Sequence, residues 1–273
     1  MVKALLNKRL LIGQYYPASS PLHKLDARSK IIVTVLYMIA LFVAQGWPAY
    51  AFMTIIFAVA VGTARIPFSS LLRGMKLIII FVLLTVVMNG FFSPGDIIWS
   101  WRSFNLTRQG LIMGAAMGLR LLLLVSFASL LTLTTEPLAL TDGLEKLLKP
   151  AGRIGIPSHE IAMMMSIALR FIPTILEEFD RIVLAQRARG ATIAQGNIAK
   201  RITAMMPLLV PLFVAAFRRA DELAQAMEAK CYHGGEGRSR WRQSRWQAGD
   251  TAYTAFFCLI LAGMIFVRVL NPF

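Results

Sequence analysis

Long apolar segments alternate with short polar connections along most of this chain. Five of them approach the length that an α-helix needs to cross about 30 Å of hydrocarbon, at roughly 1.5 Å per residue. They are Ile31 to Trp47, Ala49 to Ala64, Leu77 to Phe92, Gly110 to Thr134 and Thr251 to Val267. The pattern predicts an all-α integral membrane protein with about five transmembrane helices.

Residues 136–248 separate the fourth and fifth segments and follow a different pattern. Two apolar stretches there, Ile161 to Leu176 and Ile202 to Phe217, run into strongly charged sequence. A crossing at the first would place a basic segment on the side that otherwise receives few cations, and the second contains Pro207 and Pro211. We therefore expect long amphipathic cytoplasmic helices here. The predicted parts are a four-span membrane domain in 1–135, a cytoplasmic helical module in 136–248 and a transmembrane helix in 249–273.

The charge of the chain supports this class and gives it a direction. The net charge is +15 although 57% of the residues are hydrophobic, which excludes a disordered basic tail and most water-soluble domains. Cations precede the first span, lie between the second and third, and fill residues 136–248, whereas the other side receives Arg102, Arg108 and Arg268. By the positive-inside rule the N-terminus is cytoplasmic and the C-terminus is outside. The tryptophans expected at the outer interface are Trp47, Trp99 and Trp101.

A weak internal repeat relates the two halves of the helical module. A shift of 41 residues places Asp180 on Asp221 and Ala188-Arg189-Gly190 on Ala229-Lys230-Cys231. In the same register the pair Glu177-Glu178 aligns with Arg218-Arg219. Opposite charges at equivalent places suggest two related helices that cross and pair there. The alternative is that two amphipathic helices share these residue types through composition alone.

Both copies end in a small residue, a basic residue and a second small residue. Small residues allow a partner to approach closely, and a basic side chain at a helix C-terminus complements the dipole and offers charge to an acidic groove. The simpler interpretation is a routine helix stop, with Gly190 in the left-handed conformation. Two such endings on paired helices favour two contact points for a partner with two similar subunits.

Five segments carry a resemblance to a known family. They are Leu169 to Pro173, Ala185 to Ala191, Phe217 to Ala229, Ser20 to Lys30 and Leu131 to Thr135. In these segments the chain resembles the transmembrane T component (EcfT) of energy-coupling factor (ECF) transporters, and the likeness extends over essentially the whole sequence.

The resemblance implies a non-catalytic subunit of an ABC-type importer for vitamins or transition-metal ions in the bacterial inner membrane. In that family the T component joins two cytoplasmic ATPases to a small membrane protein, the S component, which binds the substrate. Residues 136–248 would then be the coupling-helix module. No cofactor is expected on this chain, since ATP and Mg belong to the ATPases. The other partner is the lipid bilayer, and no nucleic acid is expected.

The resemblance also assigns roles to the repeated helix ends. It implies that Ala188, Arg189 and Gly190 dock one ATPase, and that Ala229, Lys230 and Cys231 occupy the second docking position. There the chain departs from the family's Ala-Arg-Gly pattern, since Lys lacks the fork of Arg and Cys lacks the backbone freedom of Gly. Such a departure is expected if the two ATPases are not identical. The residues expected to support the coupling helices are Arg187, Glu177, Glu178, Arg218, Arg219, Asp221 and Glu228.

Two other functions remain as alternatives at this point. A membrane-embedded enzyme acting on lipid or isoprenoid substrates needs acidic or His residues at the cytoplasmic ends of the spans, and Asp142, Glu145 and Glu160 lack a metal-binding pattern. The sequence also contains no GxxxxGK[ST] phosphate loop. A scaffold that recruits nucleic acid through its basic surface would bind with a steep salt dependence.

Two features of the fourth span call for an explanation. Arg120 lies near its middle, where a charge is costly, and we favour a structural role with a backbone carbonyl, a cytoplasmic-helix residue or water as its partner. Small residues recur on the same helix at a spacing that predicts close helix packing. They are Gly110, Gly114, Ala115 and Gly118.

Overall fold

The structure divides into two compact units. A computed structural model describes residues 15, 16, 18, 20–101, 104–150, 157–190, 198–232, 234 and 246–270. The bundle unit comprises Met1–Leu147 and Gln243–Phe273, and the helix-pair unit comprises Leu148–Arg242. The predicted module began at residue 136, whereas the boundary between the compact units lies near residue 148.

Helices make up almost all of both units. The elements of the bundle unit are α1 (Pro21–Lys24), α2 (Ala27–Val43), α3 (Gly46–Ala64), α4 (Phe68–Phe92), β1 (Ile97–Trp101), β2 (Phe104–Thr107), α5 (Arg108–Thr134), α6 (Pro137–Leu148) and α9 (Ala248–Leu270). Those of the helix-pair unit are α7 (Ser158–Ala188) and α8 (Ile198–Ala229). The prediction of an all-α membrane protein is confirmed for the described residues, with one small exception.

That exception is a hairpin between α4 and α5. Strands β1 and β2 pair in antiparallel fashion, with Trp101 opposite Phe104. Thr107 ends the hairpin and caps α5, because its hydroxyl accepts from the Gly110 amide and donates to the Ser93 carbonyl at 2.9 Å. Trp99 and Trp101, which the sequence predicts at the outer interface, both belong to β1, and Trp99 is half exposed.

Five described helices are long and apolar enough to cross a membrane, and four of them contain predicted spans. These four are α3, part of α4, α5 and α9. The fifth is the segment His159–Ala188 of α7, for which the distribution of charge in the sequence predicts a cytoplasmic position. Helix α2, which contains most of the first predicted span, has 17 residues and therefore a length of about 26 Å.

The first predicted span extended too far. Helix α2 ends at Val43, and Trp47 belongs to the first turn of α3. Gly46 adopts a φ of 77° and Pro48 follows within that first turn, where its missing amide hydrogen costs nothing. The apolar run therefore continues through a turn that separates two helices.

Aromatic rings from three helices form the centre of the bundle unit. Tyr37 on α2 stacks on Phe127 of α5 with ring centroids 3.9 Å apart, and Phe257 of α9 meets both rings edge-on. Tyr37 is fully buried, and its hydroxyl donates to the Met53 carbonyl of α3 at 3.0 Å. One buried hydroxyl group is thereby satisfied by a backbone group of a fourth helix.

A buried carboxylate joins the beginnings of α2 and α9. Asp250 is 1% exposed, and its two oxygens accept hydrogen bonds of 2.8 Å from the amides of Asp26 and Gln247. Asp26 is the N-cap of α2 and Gln247 directly precedes α9, so one side chain satisfies a free amide at each helix start. Ser29 adds a hydrogen bond to the Asp250 carbonyl and one of 3.1 Å to Thr254.

The segment before α2 is fixed to the same region. The Lys30 ammonium group is nearly buried and donates to the carbonyls of His23 and Thr134, the latter at 3.0 Å. The His23 ring bridges the Ser20 hydroxyl and the Tyr16 carbonyl. Partial burial lowers the pKa of His23 more than its bond to the Tyr16 carbonyl raises it, and the nearby charge of Lys30 lowers the pKa further.

Arg120 has surroundings that fit the structural role expected from the sequence. Its guanidinium donates to the Ala44 carbonyl at 3.4 Å and to the Tyr50 hydroxyl. The guanidinium also lies 5.8 Å from the Phe42 ring centre and 5.6 Å from that of Tyr50. The backbone carbonyl was one of the partners expected, and these contacts tie α5 to the α2–α3 turn.

The predicted small-residue packing on α5 is confirmed. A Cβ atom at Gly110 would lie 2.3 Å from the Asn89 carbonyl oxygen, and one at Gly114 would lie 2.9 Å from the Val86 Cα. Because these neighbours are backbone atoms, they cannot give way by changing a rotamer. Helices α4 and α5 therefore approach each other closely along this stripe.

We expect Gly114→Leu to lower the stability of the detergent-solubilised protein by about 3 kcal/mol, since the added side chain must force two backbones apart. Thermal unfolding monitored by size-exclusion chromatography measures this change. Gly62→Leu on α3 is the matched control, because a Cβ there meets no atom within 4 Å. Equal melting temperatures for the two variants would contradict the packing described.

Candidate functional site

The candidate site is built on α7 and α8, which pack against each other as a pair. With 31 and 32 residues they are about 46 and 48 Å long. Pro173 lies inside α7, and Pro207 and Pro211 lie inside α8, yet both helices continue through these positions. The long helices expected from the sequence are therefore present.

Helix α7 ends in a left-handed glycine. Gly190 has a φ of 83°, and its amide donates to the Arg187 carbonyl at 3.0 Å. Arg189 precedes it as the C-cap residue, with its amide bonded to the Ala185 carbonyl. This is the glycine stop expected for a helix C-terminus. It leaves Ala188 and Arg189 exposed on the last turn.

Helix α8 ends in the same way without a glycine. Cys231 has a φ of 52°, and its amide donates to the Glu228 carbonyl at 2.8 Å. The Tyr232 amide donates to the Met227 carbonyl at 3.0 Å, which completes the pair of hydrogen bonds of a Schellman motif. A side chain in this conformation costs about 1 to 2 kcal/mol relative to glycine, so Cys231 is held in a strained position.

The two helix ends are therefore equivalent in geometry as well as in sequence. Gly190 and Cys231 share the left-handed conformation, and Arg189 and Lys230 both directly precede that residue. Both basic side chains are exposed next to the partial negative charge of a helix C-terminus. The arrangement presents one cation at each of two exposed, tightly turned helix ends.

One predicted ion pair between the two helices is present. The Glu178 carboxylate of α7 and the Arg219 guanidinium of α8 are 3.8 Å apart, and each side chain is about one-third exposed. The prediction that the Glu pair faces the Arg pair is therefore confirmed at these two residues. Arg218 instead pairs with Glu222 one turn along its own helix, at 3.2 Å.

The remaining predicted residues lie on the same two helices. Glu177 and Arg187 are exposed on α7, and Asp221 and Glu228 are exposed on α8. Glu160 lies near the start of α7, whereas Asp142 and Glu145 lie on α6 of the bundle unit. The described residues contain no group of three or more His, Cys, Asp or Glu side chains arranged to hold a metal ion.

An exposed apolar surface extends along α8. In its middle section Val210 and Phe213 are 59% and 61% exposed, and Phe217 is 69% exposed. Met164 and Met165 on α7 are exposed as well. The sequence feature that indicates this surface is the three- and four-residue spacing of large apolar side chains on a helix whose second half is charged. We call Met164, Met165, Met205, Met206, Val210, Phe213, Val214 and Phe217 the apolar patch.

The fold and the paired helices define a predominantly helical, multi-pass integral membrane protein. A family model described as CbiQ, cobalt transport protein, matches residues 18–241. The energy-coupling factor transporter transmembrane protein EcfT of Thermosediminibacter oceani is 48% identical over 262 residues, which cover 96% of this chain and 98% of the relative. The EcfT proteins of Acidaminococcus fermentans and Bacillus subtilis are 46% and 43% identical, each over 95% of this chain and at least 97% of the relative. The chain belongs to this family, the EcfT transmembrane proteins of energy-coupling factor transporters.

Replacing Cys231 by Gly should slow amide hydrogen exchange at positions 231 and 232 about five-fold, because glycine relieves roughly 1 kcal/mol of backbone strain. Cys231→Ala is the matched control, since alanine keeps the Cβ that causes the strain. Gly190→Ala should act in the opposite direction and speed exchange at residue 190. Identical exchange in Cys231→Gly and Cys231→Ala would contradict the strained cap.

Reversal of both charges in the interhelical pair tests the contact between α7 and α8. Glu178→Arg and Arg219→Glu should each destabilise the helix pair, and the double variant should recover up to about 1 kcal/mol, the usual limit for a partly exposed pair. Cleavage by a protease between α7 and α8 reports their association. The same reversal at Arg218 and Glu222 is the control, and an additive result at Glu178 and Arg219 would argue against the pair.

Proposed function

We propose that this chain is the coupling subunit of an ECF-type ABC importer, linking two cytoplasmic ATPases to a substrate-binding S component. The observation that carries the proposal is the geometric match between the ends of α7 and α8. Two similar ATPases need two similar contacts, and Ala188-Arg189-Gly190 and Ala229-Lys230-Cys231 supply a small-basic-small sequence in one backbone conformation.

Each helix end suits docking into an acidic groove. The small residue before the cation leaves room for close approach, and the left-handed residue after it turns the chain away from the contact. Arg189 can bind a carboxylate with two parallel hydrogen bonds, whereas Lys230 acts as a point charge. The two contacts therefore differ in hydrogen-bonding capacity, which supports two ATPases that are not identical.

The ion pair between α7 and α8 gives the module a way to transmit motion. Each helix is about 46 Å long or more, so a displacement at its docked end can be carried along the helix. The Glu178–Arg219 contact links the two helices where they pack. ATP binding by the ATPases would close them and displace both helix ends.

The apolar patch supports a membrane-embedded S component as the second partner. Exposed methionines and phenylalanines on adjacent helices form a deformable apolar surface, whose exposure to water is unfavourable. Such a surface can accept partners of differing shape, so that one coupling subunit can serve several S components.

The proposed topology places α7 and α8 at the cytoplasmic face. The basic residues of the helix-pair unit, and the cluster of Arg28 and Lys30 at the start of α2, fall on the side that the positive-inside rule assigns to the cytoplasm. The N-terminus is then inside and the C-terminus outside the bacterial inner membrane. The basic surface is used for orientation and docking, and nucleic acid is not a partner.

The chain itself performs no covalent chemistry in this proposal. ATP and Mg are bound and ATP is hydrolysed on the ATPases, and the S component selects the substrate, a vitamin or another micronutrient. This chain contributes the docking sites, the two long helices and a membrane-embedded bundle.

Acidic substitutions at the two helix ends test the proposal. We expect Arg189→Glu to reduce co-purification of the ATPases from mild detergent about ten-fold, and Arg189→Glu with Lys230→Glu to abolish it together with substrate uptake, because like charges then meet in the groove. Quantitative mass spectrometry of the purified complex measures both ATPases and the S component.

Arg181→Glu is the matched control, since Arg181 is an exposed cation two turns before the end of α7. That variant should retain both ATPases, and all variants should keep the melting temperature of the bundle unit. A double variant at positions 189 and 230 that assembles and transports like the unmodified protein would refute ATPase docking at these ends.

A further inference from the structure

A groove in the bundle unit has no part in the proposed function. It has a volume of about 1040 Å³ and opens between the α2–α3 turn, the first turns of α3 and one face of α9. Its α9 wall runs from Phe256 to Arg268 and uses positions three or four residues apart, which lie on one face of a helix. The 12 residue-to-residue steps from Phe256 to Arg268 correspond to about 18 Å along the helix axis. This length is close to the hydrocarbon thickness of one leaflet, which is roughly half of 30 Å.

Small residues keep the groove open. Gly263 lies at the middle of the α9 wall, and a Cβ atom built there meets no atom within 4 Å. Gly46 and Ala49 lie in the facing wall. The surrounding apolar side chains remain exposed, and Leu259 is 72% accessible. Two membrane-spanning helices thus stand apart with an apolar gap between them, which water fills poorly.

The polar groups of the groove lie at one end. Helices α2 and α9 start together at the contact between Asp26 and Asp250. Ala44 follows Asp26 by 18 residues and Arg268 follows Asp250 by 18 residues, so the α2–α3 turn and Arg268 reach the same depth on the opposite face of the membrane. Gln45 belongs to that turn and, like Arg268, lines the groove. The described lining residues include one cation and no carboxylate.

We propose that this groove binds a phospholipid of the surrounding bilayer, with one acyl chain along Gly263 and the phosphate held by Arg268 and Gln45. The apolar walls match the chain, and their length matches one leaflet. The unbalanced cation at the membrane surface matches the negative charge of the phosphodiester. In the proposed topology the Arg268 end of the groove lies at the outer surface, so the bound lipid belongs to the outer leaflet. The lipid fills the gap between the α2–α3 turn and α9 and holds these elements at a fixed separation.

A photoactivatable phosphatidylglycerol with a diazirine in the middle of one acyl chain tests the site. The purified chain is placed in phosphatidylcholine vesicles containing a small fraction of this probe, irradiated and digested, and labelled peptides are identified by mass spectrometry. We expect labelling between Phe256 and Arg268. Gly263→Phe should reduce it about ten-fold, since the new ring displaces at least two methylene groups of the acyl chain, at about 0.8 kcal/mol for each. Arg268→Gln should reduce it about five-fold through loss of one interfacial cation.

Two controls make the result specific. Gly62→Phe places the same ring at another open helical glycine, and Arg268→Lys keeps the charge, so both should label like the unmodified chain. Undiminished labelling in a Gly263→Phe variant with normal melting temperature would refute the site. Labelling that disappears when the chain is assembled with a small membrane partner would show that a protein helix occupies the groove, and would refute it equally.

Discussion

The buried carboxylate of Asp250 is the constraint on which the bundle unit depends. A polar group shielded from water is unfavourable unless hydrogen bonds replace its hydration, and here the replacements come from backbone amides at the starts of two helices. The contact spans 224 residues of sequence and places α9 beside α2. Once these helices start at the same level, Tyr37 and Phe257 meet at the centre of the bundle. Lys30 brings the end of α5 to the same region through the Thr134 carbonyl.

The helix-pair unit has few buried side chains and is organised by its surfaces. Ala162 and Leu208 are buried, whereas most of its large apolar and basic side chains remain accessible. Such a pair is suited to contacts with other chains, since so much of its surface is left for them. The strain at Cys231 fits this interpretation, because a position selected only for stability would favour glycine. In the proposed importer the same residue would combine a helix stop with a surface adapted to one of two unlike partners.

Sequence reasoning identified the features that depend on local pattern. Four spans lie within helices that can cross a membrane, the glycine stripe of α5 packs closely against α4, and Glu178 pairs with Arg219. These predictions succeeded because apolar length, small-residue spacing and repeated charge are all readable over one or two helices. The predicted end of the first span failed because an apolar run does not show where a turn breaks it. The β1–β2 hairpin was missed for a similar reason, since two strands of five and four residues carry little periodicity.

The amino-acid sequence by itself determined that this chain lies in a membrane, that its basic residues are asymmetrically distributed, and that two helices end in related small-basic-small motifs. These properties follow from hydrophobicity, charge and helical spacing, which act locally. Only the tertiary structure decided that Asp250 joins two distant helix starts, that Arg120 finds the Ala44 carbonyl, and that Gly190 and Cys231 share one backbone conformation. The groove beside Gly263 likewise follows only from the tertiary structure. Each of these depends on which distant groups meet in space, because a buried polar group or an open gap is defined by its neighbours.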